Sequence, residues 1–460
     1  MKPKVFQKST IVDVPVSSVF NWHERPGALN RMAPPWDPLI VISSDESILP
    51  GAQSLLKMKL GPFSYKWLAE HQNYIINQQF QDQQVKGPLA YWCHTHLFDE
   101  VNDSQSRLTD KIEYRLPGFG MGDFIMGNNI KEKLNRIFRY RHRVLKRDLM
   151  LHQQFSDQKP LKILISGGGG IIGSALIPFL TTGGHQVIRL VRNQAQANKK
   201  QIFWDPIKGE IDKANIGDID VVIHLAGENI GEGRWTPLKK KRILDSRINS
   251  TKLLLDFMKE LPSKPRVFLS ASAIGYYGNR QDQFLTEEDH SGNDFISEVC
   301  HLWETEAMKA ENISIRTCLL RIGVVLTPLG GALARLHGMF KIGLGAKLGQ
   351  GDQYLSWIGM DDVLSSIYHL IYHEEINGPV NLVAPNPVTN KEFTNILADI
   401  LGTKANKSIP EWLIQKTFGQ LGDEIVLSST KVIPQILSSH QYHFIHDNLK
   451  DYLTEQLGLA

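Results

Sequence analysis

Glycines that recur at every third residue form the clearest candidate for a binding site in this chain. Gly167, Gly170 and Gly173 give the spacing G-x-x-G-x-x-G, directly after the apolar segment 162–166. Such a turn lets the chain leave a strand sharply, admits a pyrophosphate to the backbone, and packs the next helix close to the sheet. The N-terminus of that helix adds a partial positive charge. Because a strand pattern precedes the glycines and a helix pattern follows them, we predict a dinucleotide site.

The end of the next predicted strand indicates which dinucleotide is bound. An NAD site usually places Asp or Glu about 20 residues after the turn, where the acid binds the ribose 2′-hydroxyl. The corresponding segment carries Arg189 and Arg192 and no acid. A guanidinium attracts the 2′-phosphate that a carboxylate would repel. The sequence therefore favours NADP over NAD, and an ordinary exposed arginine is the alternative interpretation of Arg192.

Further cofactor contacts are expected in the turn and at the ends of the strands that follow it. They are Ile171, Ile172, Leu225, Ala226, Gly227, Glu228 and Ser270. Among these, Glu228 follows a predicted strand, where it is a candidate base or ribose contact. A solvated or structural carboxylate is an equally good interpretation of that residue.

The overall composition is that of an ordinary globular protein. The 460 residues suffice for two or three domains, and 42% of them are hydrophobic. The formal net charge of +3 gives no argument for binding nucleic acid. No apolar run approaches the roughly 20 residues of a membrane-spanning helix, and no signal core follows the N-terminus. The three cysteines indicate a reducing compartment and no disulfide framework, so we expect a cytoplasmic protein.

Two parts of the chain follow different patterns. Up to residue 155, short apolar segments alternate with polar ones and turns, which predicts an antiparallel sheet, and residues 128–151 predict a long final helix. Residues 153–160 are polar and without periodicity, as in a linker. From residue 161, strands alternate with helices, which predicts a parallel sheet with helices on both faces. We therefore expect domains at 1–155 and 161–460.

The second part resembles the extended short-chain dehydrogenase/reductase superfamily, and within it an atypical, epimerase-like, NADP-binding group. The matching stretches are residues 165–173, 224–230, 269–278, 298–304 and 356–363. The resemblance implies an α/β Rossmann fold with a C-terminal substrate lobe. Residues from about 408 to 456 resemble the small C-terminal domain of unknown function found in this group.

The first part resembles the START-like, polyketide-cyclase-like (SRPBCC) helix-grip domains. The matching stretches are residues 14–20, 34–36, 87–88 and 92–96, together with the long final helix. The resemblance implies an α+β fold in which a curved antiparallel sheet wraps around a helix. The cavity of such a domain commonly takes an apolar ligand.

The catalytic pair that the resemblance implies is missing. Short-chain dehydrogenases carry Tyr and Lys four residues apart on a helix, but the corresponding positions hold Ile296 and Cys300 or, one residue earlier, Phe295 and Val299. Ser272 matches the serine that orients the carbonyl. Substitute proton donors are Tyr276 and Tyr277, which follow the serine strand at the edge where doubly wound folds bind ligands. Whether the protein is catalytic therefore stays open at this point.

Two other features of the sequence are candidate chemical sites. Cys300 is a nucleophile only if a neighbour makes it a thiolate, and a buried packing thiol is the favoured interpretation. His94 and His96 alternate on one predicted strand and, with His71, are candidate metal ligands. Because the spacing fixes no third ligand, ordinary hydrogen-bonded histidines are favoured, and no metal is predicted.

The predicted function is that of an NADP(H)-dependent oxidoreductase or a nucleoside-diphosphate-sugar-epimerase-like enzyme. Its expected partners are a small-molecule substrate and an apolar ligand in the first domain, with neither nucleic acid nor an integral membrane segment. The alternative is a non-catalytic NADP-binding or redox-sensing protein. The missing Tyr and Lys favour the alternative, whereas the intact glycine turn, Ser272 and the two tyrosines favour an enzyme. The substrate and the oligomeric state stay open.

Overall fold

The computed structural model describes residues 2–60, 63–117, 121–198, 200–213 and 216–460. The chain divides into two compact units. The first comprises residues 1–160, 177–185 and 455–460, and the second comprises residues 161–176 and 186–454. In the described part of the chain, no helix is both long enough and apolar enough to cross a membrane.

The first unit is built on a seven-stranded antiparallel sheet. Its strands are β1 (Lys4–Val12), β2 (Ile40–Ser44), β3 (Gln53–Leu60), β4 (Phe63–Ile75), β5 (Gln79–Lys86), β6 (Tyr91–Asn102) and β7 (Gln105–Arg115). Helices α1 (Val16–Glu24) and α2 (Ala28–Arg31) connect β1 to β2, and the 33-residue helix α3 (Met121–Gln153) follows β7. The strand order is β1-β7-β6-β5-β4-β3-β2, in which β1 returns to pair with β7.

Helix α3 covers the sheet with one apolar face, as its sequence predicts. Leu134 and Phe138 pack against Phe6, Ile112 and Tyr114 of strands β1 and β7. About two and three turns after Phe138, Leu145 and Leu149 join a second apolar cluster, which includes the aromatic side chains of α1. Because residues three or four apart lie on the same face of a helix, one long helix contributes apolar side chains to both clusters.

The second unit is built on an eight-stranded sheet. Its strands are β8 (Lys162–Ser166), β9 (Gln186–Val191), β10 (Gln201–Asp205), β11 (Glu210–Ile211), β12 (Val221–His224), β13 (Val267–Ala273), β15 (Arg316–Ile322) and β20 (Gly378–Leu382). The order is β11-β10-β9-β8-β12-β13-β15-β20, and every neighbouring pair is parallel except β10 with β11. The chain order reverses between β8 and β12, which is the topology of a doubly wound Rossmann sheet.

Short strand pairs accompany this sheet. They are β14 (Phe284–Leu285) with β23 (Lys431–Val432), β16 (Val324–Leu326) with β19 (Trp357–Gly359), β17 (Ala346–Leu348) with β22 (Lys407–Ile409), and β18 (Tyr354–Leu355) with β21 (Val388–Thr389). The helices are α4 (Ile171–Thr182), α5 (Pro237–Glu260), α6 (Phe295–Ala307), α7 (Gly331–Lys341), α8 (Met360–Tyr372), α9 (Asn390–Ile400), α10 (Glu411–Phe418), α11 (Gln435–Ser439) and α12 (Leu449–Gln456).

The core of the second unit explains why the sequences of its strands are continuous apolar runs. Leu164, Val222 and Phe268 belong to three neighbouring strands and pack in one cluster with Leu254 and Phe257 of α5. All four residues of β12 are buried. Strands of a parallel sheet that is covered on both faces have no solvent side, so polar residues do not alternate along them.

Candidate functional site

The glycine turn lies between the end of β8 and the start of α4, where the sequence places it. Gly167 has a φ of +73°, and a Cβ at this residue would come within 2.6 Å of the backbone carbon of Leu225. A Cβ at Gly173 would come within 2.5 Å of the Gly167 carbonyl oxygen. These two positions therefore require glycine, because the turn packs directly against both the following helix and the loop after β12.

Of the three glycines between them, Gly169 and Gly170 leave an open surface at the helix N-terminus. A Cβ at Gly169 would meet nothing within 4 Å, and one at Gly170 would meet only the Gly167 oxygen, at 3.3 Å. Both residues are exposed. An open backbone surface beside a helix N-terminus is the shape that a pyrophosphate needs, so the residues present fit a dinucleotide.

The strand ends bring the other predicted contacts to the same edge of the sheet. Ser166 and Ser270 are the register partners of His224, the last residue of β12, so the segment 225–228 begins beside the turn. The Leu225 N–H donates to the Ser166 carbonyl oxygen at 3.2 Å. Ser270 itself lies inside β13 with a fully buried side chain, so that side chain does not line this edge.

The two predicted arginines occupy different environments at the end of β9. Arg192 directly follows the strand and is exposed. Arg189 lies within the strand and is half-buried, and among the residues that the structure describes its buried Nε atom has no hydrogen-bond partner. A guanidinium with an unused buried donor suits an anionic group nearby.

Glu228 is held as a carboxylate by basic side chains. The Lys239 ammonium donates to Glu228 Oε1 at 2.8 Å, and Arg242 Nε lies 3.8 Å from the same oxygen. The hydrogen bond from Lys239 is the largest cause that lowers the pKa of Glu228. A carboxylate with a lowered pKa is a weaker base, so the geometry favours the structural interpretation of this residue.

Ser272 is part of a buried ion-pair network. Its Oγ donates to Glu304 Oε1 at 2.6 Å. Arg321 donates to both oxygens of the same carboxylate, from Nε and Nη2, at 2.9 Å each. The Arg321 and Glu304 side chains are only 4% and 8% exposed. The serine hydroxyl is therefore used inside the network, where it donates its hydrogen bond to the Glu304 carboxylate.

Tyr277 and Tyr276 differ in what surrounds their hydroxyls. The Tyr277 hydroxyl donates to Asn381 Oδ1 at 2.7 Å and accepts from Arg321 Nη1 at 3.0 Å. Burial is the main cause that raises the pKa of Tyr277. Tyr276 is half-buried, its ring lies 3.6 Å below the Arg321 guanidinium carbon, and within the described part of the chain its hydroxyl has no hydrogen bond. Tyr276 is thus the phenol of the two that is not committed to the interior.

Helix α6 presents buried side chains in one of the two registers in which the family resemblance implies Tyr and Lys. Ile296 and Cys300 are 3% and 2% exposed. Burial, followed by the charge of Glu304, raises the pKa of the Cys300 thiol to about 12. The thiol is therefore protonated at neutral pH and is not a nucleophile in this environment.

Sequence reasoning missed the residues that organise this network. Glu304, Arg321 and Asn381 come from α6, β15 and β20, and no short motif joins them. Glu287 was missed as well, although its Oε1 accepts the backbone N–H groups of Asn381 and Ile436 at 3.0 and 3.2 Å. The sequence carries no distinctive signal for these residues: α6 holds three glutamates, β15 holds two arginines, and Glu287 is followed by Glu288 and Asp289.

Comparison with known proteins agrees with this geometry. Residues 163–382 match the model of the NAD dependent epimerase/dehydratase family, and residues 409–456 match a domain of unknown function (DUF1731). Epimerase family protein Mb2239 of Mycobacterium bovis is 37% identical over 291 residues, which cover 63% of this chain and 96% of that protein. Epimerase family protein YfhF of Bacillus subtilis is 33% identical over 301 residues, which cover 65% of this chain and 98% of that protein. The chain therefore belongs to the epimerase family.

Solved structures extend the likeness beyond the Rossmann unit. The nucleoside-diphosphate sugar epimerase from Corynebacterium glutamicum superposes with a TM-score of 0.81 at 32% identity, covering 99% of this chain and 90% of that chain. The human epimerase family protein SDR39U1, solved with NADPH, has a TM-score of 0.59 at 29% identity and covers 65% of this chain and 99% of that one. The first of these structures therefore shares both parts of the architecture.

Proposed function

We propose that residues 161–460 bind NADP(H) and act as an oxidoreductase or a sugar-epimerase-like enzyme on a small molecule. The observation that carries this proposal is the glycine turn, which is open above Gly169 and Gly170 and precedes strand β9, after which the chain places Arg192 and no acid. The NADPH found with the human relative supports the choice of dinucleotide. The related nucleoside-diphosphate sugar epimerase supports a sugar nucleotide as the substrate class.

The chain's own residues would divide the chemistry in a specific way. When bound, the nicotinamide supplies hydride transfer. Tyr276, whose hydroxyl makes no hydrogen bond with the described residues and whose ring stacks on the Arg321 guanidinium, is our candidate for proton transfer. Ser272 and Tyr277, the other two candidates, would fix the positions of Glu304 and of the Arg321 guanidinium that lies over the Tyr276 ring.

We also propose that residues 1–155 form a START-like helix-grip domain that takes an apolar ligand. The support is the antiparallel sheet with two short helices after its first strand and one long helix after its last. Phe6, Ile112 and Phe138 line part of the contact between this sheet and α3. An apolar lining of this kind suits an apolar ligand.

A second candidate function is favoured by one specific observation. Ile296 and Cys300, one of the two residue pairs that the resemblance aligns with the Tyr and Lys of short-chain dehydrogenases, are buried, and both Ser272 and Tyr277 are used in interior hydrogen bonds. A non-catalytic protein that binds NADP(H) as a signal needs none of these groups at the surface. The two functions share the cofactor and differ in turnover.

Calorimetric titration tests the cofactor. NADPH is expected to bind more tightly than NADH, and Arg192→Ala should weaken NADPH by about 1.5–3 kcal/mol, about ten- to a hundredfold, with NADH almost unchanged. Lys404→Ala, at another exposed basic residue, is the matched control and should change neither affinity. Equal affinities of the wild-type protein for the two cofactors would refute the proposal.

Turnover separates the two candidate functions. Nucleoside-diphosphate sugars are incubated with the protein and NADP(H), and the products are followed by NMR. For an enzyme, Tyr276→Phe should lower the rate by about 10²- to 10⁴-fold while NADPH affinity stays level. Tight NADPH binding without turnover of any sugar nucleotide would support the non-catalytic function.

A further inference from the structure

A second polar cluster lies in the first unit, between the sheet and α3. Asp82 of β5 is the register partner of His94 of β6, and His96 of β6 is the register partner of Asp110 of β7. Directly paired residues of an antiparallel sheet share a face, so these four side chains lie together. His142 of α3 reaches the same cluster, with its Nε2 atom 2.6 Å from Asp110 Oδ2.

Both histidines of β6 lie between the two carboxylates. His94 Nδ1 is 3.1 Å from Asp82 Oδ2, and His94 Nε2 is 2.9 Å from Asp110 Oδ1. His96 Nε2 is 3.6 Å from Asp82 Oδ2. His96 Nδ1 is 2.9 Å from Asp110 Oδ1 but is not aligned for a hydrogen bond with it. The two imidazole rings are 4% and 5% exposed, so solvent does little to screen these contacts.

The arrangement has more acceptors than protons. A neutral imidazole carries a single N–H, so one nitrogen of each ring presents a lone pair toward a carboxylate oxygen. Buried carboxylates that face lone pairs are costly unless positive charge lies between them. Either two additional protons or one divalent cation supplies that charge.

We propose that Asp82, His94 and His96 bind one divalent transition-metal ion, with zinc the best match. Their ligand atoms all lie within 4.8 Å of one another. Tetrahedral zinc with bonds of about 2.0–2.2 Å holds neighbouring ligand atoms about 3.3 Å apart, close to the 3.1 and 3.6 Å that separate Asp82 Oδ2 from the two ring nitrogens. Asp110, anchored by His142, accepts a hydrogen bond from the far nitrogen of His94, as the outer carboxylates of zinc sites do, and lies 2.9 Å from the far nitrogen of His96.

The ligand set and its exposure narrow the class of metal. Two imidazoles with one carboxylate suit zinc and other late transition metals, whereas calcium and magnesium require mostly oxygen ligands. The Asp82 side chain is 21% exposed, which gives the ion a path from solvent and room for a water molecule as a further ligand. The alternating histidines alone left the third ligand open, and the sheet register supplies it.

The test is a titration of the full-length protein, freed of metal with a chelator that is then removed. Calorimetry with zinc chloride should show one ion bound per chain, and cobalt(II) should produce the visible absorption of a tetrahedral site. Asp82→Asn and His96→Gln should each weaken zinc binding by at least about 100-fold, and Asp110→Asn by about 10–100-fold. His443→Gln, at an exposed histidine of the second unit, is the control and should bind like the wild type.

Two further measurements keep the proposal refutable even if one variant fails to fold. Zinc should raise the thermal unfolding midpoint of the wild-type protein, because a ligand that binds only the folded chain stabilises it. NADPH affinity of Asp82→Asn should equal that of the wild type, which separates this site from the proposed cofactor site. Absence of stoichiometric zinc binding, equal binding of magnesium, or zinc binding unchanged in both ligand variants would overturn the proposal.

Discussion

Replacing Tyr277 with phenylalanine removes one hydroxyl from the interior of the second unit and leaves the ring in place. That hydroxyl donates to Asn381 Oδ1 at 2.7 Å and accepts from Arg321 Nη1 at 3.0 Å. The tyrosine has no exposed surface, so solvent has little access to the partners that the substitution leaves behind. We expect Tyr277→Phe to lower the free energy of unfolding and to leave NADPH affinity unchanged.

The size of the loss in the free energy of unfolding depends on Asn381 and Arg321, the two hydrogen-bond partners of the Tyr277 hydroxyl. Asn381 Oδ1 loses its buried donor, and a buried acceptor left unsatisfied costs about 1–3 kcal/mol. Arg321 Nη1 keeps a second acceptor, the Glu287 carbonyl oxygen at 3.2 Å, so its loss is small. The matched variant Tyr276→Phe removes a hydroxyl that has no hydrogen bond within the described residues, and it should change stability by no more than about 0.5 kcal/mol.

Urea unfolding followed by circular dichroism measures both variants against the wild type, and calorimetry measures their NADPH affinities. The reasoning predicts a clear difference in the free energy of unfolding between the two variants, with Tyr277→Phe the less stable. Equal stabilities, or a larger loss in Tyr276→Phe, would show that the assignment of the two hydroxyls is wrong. Loss of turnover in Tyr277→Phe without loss of stability would place that hydroxyl in the chemistry instead.

Three further predictions concern the glycine turn, the buried ion pair and a buried histidine. Gly170→Asp should fold, because a Cβ there meets only one oxygen at 3.3 Å, but should lose NADPH binding in calorimetry; Gly169→Ala should fold equally well, and NADPH binding by a folded Gly170→Asp would contradict the site. Glu304→Gln leaves the Arg321 charge buried without its carboxylate and should cost about 3–5 kcal/mol in urea unfolding, whereas a loss under about 1 kcal/mol would mean that solvent reaches the pair. Burial, with a smaller contribution from the Arg247 charge, lowers the pKa of His224 to about 3. In the unfolded chain this ring takes up a proton near pH 6.5, whereas in the folded chain it stays neutral down to about pH 3. The free energy of unfolding is therefore unaffected by this ring above pH 6.5 and falls by up to about 1.4 kcal/mol per pH unit between pH 6.5 and 3. His224→Gln should flatten the measured pH dependence of unfolding by that slope, and an unchanged slope would contradict the assignment.

The sequence by itself determined the features that depend on neighbouring residues. The glycine turn is predictable because strand, turn and helix follow one another within a short stretch, and because only glycine fits at Gly167 and Gly173. The parallel sheet is predictable because buried strands read as apolar runs between helices. The apolar face of α3 is predictable because helical spacing sets which side chains share a side.

The tertiary structure decided which polar groups meet. Tyr277 and Asn381 are 104 residues apart, and Ser272 and Glu304 are 32 apart. Asp82 and Asp110 lie on strands either side of the two histidines, and only the pairing register brings them onto one face. Periodicity shows that a residue is in a strand or helix, but strand order and register determine its neighbours across the fold. Hydrogen bonds and ion pairs depend on the positions of those neighbours to within a few tenths of an ångström. The tertiary structure therefore determines the chemistry of the Ser272–Glu304 network and of the cluster around His94 and His96.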